Sequence, residues 1–357
     1  MTRLAVLHRW ETPTVPAVPP APAASVAPVL PAAPAVRTTG AWRRAWPLLR
    51  PWVRVAAGAA ILGVLVARLG TGAFVNAFAV VGAPQVLAAL GIGLLTTVLS
   101  VWRWSLVARR LGLALPLPTA FADYYRALFL NAVLPAGVLG DAHRAVKHGR
   151  TAGDVGRAVR AVVLERTGGQ VVLIAAGFVM LAAEPSLAAA VLSGLAPGAA
   201  LVAAALAVAV AAVALAAHAG GRAARALAAS LADVRRGLLA RDAWPGVLAL
   251  SAAALAGHLT LFLVAVRAAG SAAPVGELLP LMLLALLVMA LPVNVGGWGP
   301  REAFSAVAFG AVGLGAQQGL TAAVVYGLLT LIASLPGAAV LVLRRGTGGG
   351  QASRTAR

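Results

Sequence analysis

Residues 129–150 read FLNAVLPAGVLGDAHRAVKHGR. An apolar run breaks at Pro135, passes Gly137 and Gly140, and ends in Asp141, Arg144, Lys147 and Arg150. Proline removes a backbone donor and clashes inside a helix, while glycine tolerates dihedrals closed to other residues, so a helix entering this stretch stops within it. A second stretch, LPVNVGGWGPRE at 291–302, is built alike: Pro292, Gly296, Gly297, Gly299 and Pro300 lead into Arg301 and Glu302. In each, an arginine stands nine residues after the first proline, Pro135 to Arg144 and Pro292 to Arg301. Whether such breaks are turns at a surface or interruptions inside a bilayer depends on what surrounds them.

The surroundings are apolar. Of 357 residues, 61% are hydrophobic and 11% charged, where a soluble domain carries roughly 25% charged residues. A spanning helix needs about 20 apolar residues, so the chain is expected to be an all-α, polytopic helical membrane protein of about eight spans with one or two re-entrant segments. The spans are expected at 53–69, 86–102, 168–183, 199–217, 246–266, 276–292, 303–317 and 320–343. The piece at 303–317 is short for a crossing and is expected to be a half-helix facing 276–292 across the second break. Basic residues flank 119–139 on both sides, which predicts a re-entrant hairpin with the 135–140 break near its tip. The stretch 70–85 has no charge and is expected as an outer loop, and the Arg-rich segment 221–241 as an interfacial helix or inner loop.

The termini differ in character. Residues 11–36 are rich in Pro and Ala, and proline at this density denies both a helix and a signal-peptide core, so 1–50 is expected as a disordered cytoplasmic tail ending in a basic patch. The transmembrane domain is expected over 51–345, followed by a short cytoplasmic tail at 346–357. Net charge is +19, carried at the ends of apolar runs, which fits the positive-inside rule better than nucleic-acid binding. A cell-membrane location with both termini cytoplasmic follows. The chain has no cysteine and five scattered histidines without an HExxH pattern, so no metal is expected. Nucleotide fingerprints are absent too, so no cofactor is expected.

Candidate site residues come from charge in an apolar setting. Asp123 and Arg126 lie three apart, and each charge at a bilayer centre costs about 2.5–3.5 kcal/mol. They must pair as a structural clamp, reach the interface or meet a substrate, and Glu165-Arg166 invites the same readings. Paired interruptions in two halves of a chain point to a transporter's binding site, and arginines beside half-helix ends suit a phosphate. Two ordinary surface turns remain the alternative.

Three motifs, DYYRALFLNAVLPAGVLGDAHR, AVVLERTGGQ and LPVNVGGWGPRE, resemble in this order the membrane domain of lysylphosphatidylglycerol synthases and their stand-alone, flippase-like relatives. The resemblance covers roughly residues 50–345. It implies a polytopic domain that moves or handles polar lipids. Asn131, Pro135, Gly140, Asp141 and Arg144 match the first motif, Glu165 and Arg166 the second, and Pro292, Gly296, Gly297, Gly299, Arg301 and Glu302 the third. Leu139 departs from the pattern, standing where a second glycine is usual. The cytosolic domain that attaches lysine in the full synthase is not expected within this chain. The expected function is flipping of a polar or phosphate-bearing lipid, with membrane lipids, anionic or lipid-linked, as partners and a lipid-synthesis or glycosyltransferase enzyme as protein partner. A membrane transferase or hydrolase acting on a lipid-linked substrate, and a non-catalytic scaffold, are the alternatives.

Overall fold

A computed structural model describes residues 71–134, 137–184, 221–290 and 298–347. The expected spans at 53–69 and 199–217, both tails, and Pro135, Pro292, Gly296 and Gly297 lie outside the described residues. Every described element is an α-helix, as the apolar periodless runs predict.

Helix α1 (Thr71–Val80) occupies the stretch expected as a loop, because its apolar, proline-free sequence can close helical hydrogen bonds before Pro84 intervenes. Helix α2 (Ala83–Arg110) begins with Pro84 in its first turn, where a missing N–H costs nothing, and Gln85 accepts from the Gly82 N–H at 3.1 Å. Arg109 and Arg110 close it, favourably placed against the negative end of the helix dipole. Helices α3 (Leu117–Val133) and α4 (Leu139–Ala152) form the predicted hairpin around the 134–138 break. At 17 residues α3 reaches only about 25 Å, less than the ~30 Å hydrocarbon core. Gly140 seats α4 on the α3 backbone: a Cβ there would strike the Ala127 carbonyl oxygen.

Helix α5 (Val155–Ala183) starts from an Asp154 cap that accepts from the Arg157 N–H at 2.8 Å. It begins well before the expected span at 168–183, so Glu165 and Arg166 sit within a continuous helix rather than at its mouth. Both side chains find ion-pair partners on neighbouring helices, Glu165 with Arg103 and Arg144 and Arg166 with Asp141, so a continuous helix can carry them. Helix α6 (Gly221–Gly237) confirms a helix in the Arg-rich segment and is fastened to α5 by Arg160 and Asp233 at 2.5 Å. Helix α7 (Trp244–Ala268) is the next long apolar element. Helix α8 (Val275–Met289) and the short α9 (Pro300–Ala311) pack on each other across the second break, as the half-helix reading predicts. Helix α10 (Ala316–Ser334) runs on, past a break at Leu335, into α11 (Pro336–Thr347).

Among the described residues, four helices are long and apolar enough to cross a membrane: 83–110, 155–183, 244–268 and 316–342. Among them α2 packs on α7 and α10, and small residues set the spacing: a Cβ on Gly93 would collide with Ala333, and one on Gly257 with Thr96. That is the expected device where lipid offers no hydrophobic drive and van der Waals contact must hold helices together. Leu281, Met282 and Leu284 of α8, Phe262 of α7, Phe309 of α9 and Tyr326 of α10 form the main core. The described helices all belong to one compact unit, residues 51–357.

Replacing Gly140 by Ala should destabilise the detergent-solubilised protein by about 2 kcal/mol or more, since a carbonyl oxygen of a packed helix cannot step aside. Gly91→Ala, whose Cβ would meet nothing within 4 Å, should leave the thermal midpoint unchanged or slightly raised. Equal effects on the melting curve would refute the α3–α4 seat.

Candidate functional site

The hairpin packs α4 against α5 and brings Tyr124 of α3 to Glu165. Glu165 of α5 is fully buried and binds two arginines from two other helices. Arg103 of α2 donates to Glu165 Oε1 through Nη2 at 2.6 Å and Nε at 3.1 Å, and through Nη1 to Ser251 Oγ of α7 at 3.1 Å. Arg144 of α4 donates to Glu165 Oε2 at 2.6 Å and through Nε to Asp141 Oδ1 at 2.8 Å. The Tyr124 hydroxyl adds a longer contact to Glu165 Oε1 at 3.4 Å. Arg144 is 0% exposed and lies between two aromatic faces, 4.6 Å from the Trp104 ring centroid and 4.5 Å from that of Tyr124. Those faces hold the guanidinium plane while favouring its charge.

Asp141 links this core to the outside. Its Oδ2 takes Arg166 Nη2 at 2.6 Å and Asn131 Nδ2 at 2.9 Å, and Asn131 in turn accepts from the Gly140 N–H at 2.7 Å. Asn131 thereby ties the end of α3 to the start of α4 across the break. Beside this network Asp123 binds Arg126 at 2.7 Å and Lys147 at 2.5 Å, and Arg126 Nη1 faces His143 Nε2 at 3.3 Å.

Charge does not balance. Arg103, Arg144 and Arg166 meet only Glu165 and Asp141, three cations against two anions. No other carboxylate of the described residues comes within ion-pair distance of those arginines, and of the ten acids in the chain only Glu11 lies outside them. Donors are also left over: Arg144 Nη1, Arg166 Nε and Arg126 Nε are buried with no acceptor among the described residues.

The second break builds a different site. Glu302 Oε2 accepts from the Gly299 N–H at 2.6 Å, capping α9, while Oε1 binds Arg301 Nη2 closely and Nε at 3.0 Å. Arg301 lies 5.0 Å from the Tyr326 ring centroid and 5.3 Å from that of Trp298. Its Nη1 points at Met289 Sδ, 3.5 Å away and a weak acceptor. Gly327 leaves room for this stack, because a Cβ would lie 2.6 Å from Arg301 Nη2. One cation and one anion close this pair. Tyr326 then shares a 3.3 Å hydrogen bond with His258 Nδ1 of α7. His258 and Ser251 are two helical turns apart on α7, so one face of that helix serves both clusters.

Of the residues singled out from sequence, Asp123, Arg126, Asn131, Gly140, Asp141, Arg144, Glu165 and Arg166 are brought together, while Arg301 and Glu302 form a separate pair beside Gly299. Gly137 takes a left-handed backbone with φ +58°, as the turn requires. Sequence reasoning did not single out Arg103. The available signal was a polar stripe, Thr96, Ser100 and Arg103, at helical spacing within an otherwise apolar helix. Among the described residues no group of His, Asp and Glu is arranged to hold a metal ion.

The fold defines an all-α polytopic membrane protein with a cluster of charged side chains in its interior. A profile of the family described as Lysylphosphatidylglycerol synthase TM region matches residues 52–337, most of the chain, and the protein belongs to that family. No curated protein and no solved structure matches it. The family links the chain to the modification or translocation of membrane lipids.

Glu165→Gln removes the one anion shared by two buried arginines and should cost about 3–5 kcal/mol of stability. Asp242→Asn breaks the exposed Arg110–Asp242 pair and should cost less than ~1 kcal/mol. Thermal unfolding of the two purified variants beside the parent checks both figures.

Proposed function

We propose that this protein seats the phosphate of a membrane lipid on the Arg144–Arg166 cluster and passes the headgroup between leaflets. The observation that carries the reading is the surplus cation, with guanidinium donors on Arg144 and Arg166 that find no acceptor among the described residues, in a network that runs from the half-exposed Arg166 to the buried Arg144. An uncompensated buried charge costs several kcal/mol, and a phosphate supplies both the missing negative charge and the missing acceptors. Arginine suits the task because its planar fork stays charged and matches phosphate oxygens two at a time.

Position supports the same reading. The arginines at the end of α2, the α4–α5 junction and α6 gather at one end of the helices, joined there by Arg110–Asp242 and Arg160–Asp233. By the positive-inside rule this end is cytoplasmic, in a cell membrane. Arg166 stands eleven residues into α5, about 17 Å along it, and the remaining helix to Ala183 covers about 26 Å, close to a full hydrocarbon core. The cluster therefore lies at the inner edge of the core, where a lipid phosphate arrives with little displacement. Arg301, neutralised by Glu302, serves in this reading to hold α9 against α10 rather than to bind the headgroup.

Leaflet exchange of fluorescent phospholipids in proteoliposomes, followed by dithionite quenching, tests this. Arg144→Gln should slow exchange roughly tenfold or more, the cost of one or two charge-assisted hydrogen bonds, while Arg110→Gln leaves it unchanged. Exchange by the parent no faster than in empty vesicles, or exchange indifferent to Arg144, would sink the translocation reading.

A further inference from the structure

His258 stands at the centre of the inward face of α7, the fifteenth residue of a helix of 25. Ser251, Ala254, Leu261, Phe262 and Ala265 share that face at helical spacing, and each of them is buried. His258 itself is exposed, although it lies deep among protein atoms. An opening therefore enters the bundle at this level and ends on an imidazole. One side of the ring is fixed: Nδ1 shares the 3.3 Å hydrogen bond with the Tyr326 hydroxyl, and Tyr326 is fully buried, stacked on Phe262 with centroids 4.6 Å apart. Nε2 has no partner among the described residues. Charged groups approach from several sides. Helix α2 brings Arg103, which binds Ser251 on the same face of α7, and α5 brings Glu165 and Arg166; both arginines act electrostatically on the imidazole. Helix α10 brings Tyr326, whose ring lies against Arg301 of α9, itself paired with Glu302. Helix α8 also packs on α7, but its one charged residue, Glu277, stands in its first turn, just after the C-terminus of α7.

We propose that His258 couples translocation to protons: it takes one proton at Nε2 from the opening for each phosphate seated on the arginine cluster, and returns it when the phosphate departs. The proposal rests on the proposed function and adds the ion that drives it. Histidine is the side chain whose ordinary titration falls between pH 5 and 8, and an ionisable group at membrane depth is costly to keep without a use. With Nδ1–H donating to the Tyr326 oxygen, the lone pair on Nε2 is the one left to accept. Without a phosphate the cluster holds three cations against two carboxylates, and a further positive charge on His258 is repelled. A bound phosphate cancels the surplus and lifts that repulsion. By linkage, a proton on His258 strengthens phosphate binding by the same factor that the phosphate strengthens proton binding. Proton and phosphate therefore arrive together and leave together, which is the requirement for one to drive the other.

The test uses the purified protein in liposomes with trace fluorescent phosphatidylglycerol, its leaflet distribution read by dithionite quenching and the membrane potential held at zero with potassium and valinomycin. At equal pH the label should distribute evenly. One proton per lipid predicts that a gradient of one pH unit drives the label into the leaflet facing the alkaline side, to a ratio roughly tenfold above that in empty vesicles. His258→Gln should abolish this asymmetry. Tyr326→Phe, which keeps the aromatic stack and removes only the hydroxyl, should retain it. The parent alone tests the coupling: exchange without asymmetry under the gradient overturns it and leaves the translocation reading standing. Asymmetry that survives His258→Gln, or is lost in Tyr326→Phe, puts the proton elsewhere and overturns the role of His258. No exchange by the parent at any pH removes translocation and the coupling with it.

Discussion

Glu165 has no contact with solvent, and both of its oxygens are committed to arginines that come from opposite sides. Arg103 reaches it from α2 and Arg144 from the hairpin, so one carboxylate holds three separately packed elements in register. Ser251 extends the same network to α7 through Arg103. Low dielectric strengthens each of these bonds and makes each partner costly to lose. The hairpin is short for a crossing of its own; this acid ties it to α2 and α5, and Gly337 of α11 packs against the Tyr125 backbone of α3.

The two broken stretches share a spacing but not an environment. Arg144 is the sixth residue of α4, inside a helix whose flanks carry Asp141 and Lys147. Arg301 is the second residue of α9, and its partner Glu302 is also that helix's capping residue. In the first site the acids are outnumbered and donors remain unpaired. In the second, an adjacent acid and two aromatic rings enclose the guanidinium. Equal distance from a proline therefore produced one open and one closed arginine. The difference comes from the neighbouring helices, which no local spacing encodes.

Legibility in the sequence follows the range of the interaction. Asp123 with Arg126 and Asp141 with Arg144 are three apart on a helix, so their pairing follows from helical geometry. The break between α3 and α4 and the short helices around the second break are equally local and were readable, whereas the Arg-rich segment left helix and loop both open and is a helix. The bonds of Glu165 to Arg103 and Arg144 join residues 62 and 21 positions apart. Those contacts depend on which faces of three helices meet, and apolar helices in lipid carry little amphipathic signal to say so. Glu165-Arg166 consequently looked like one pair, whereas the two side chains diverge, one to a buried pair of arginines and the other to Asp141. Arg103 was hidden for a related reason: its partners Glu165 and Ser251 lie on other helices, 62 and 148 positions away.

Stability alone is a poor explanation for five charges in one place. Buried ion pairs are often matched or exceeded by well-packed hydrophobic residues of similar volume. This chain has ample means to do that, with 61% hydrophobic residues and only ten acids in total. It nevertheless places two of those acids beside three arginines and stops short of neutrality. A purely structural clamp would be more stable with one arginine fewer, or with acceptors for Arg144 Nη1 and Arg166 Nε. A site that must take up and release an anion needs the opposite arrangement: enough acid to keep the arginines placed when the anion is absent, and too little to make the anion redundant.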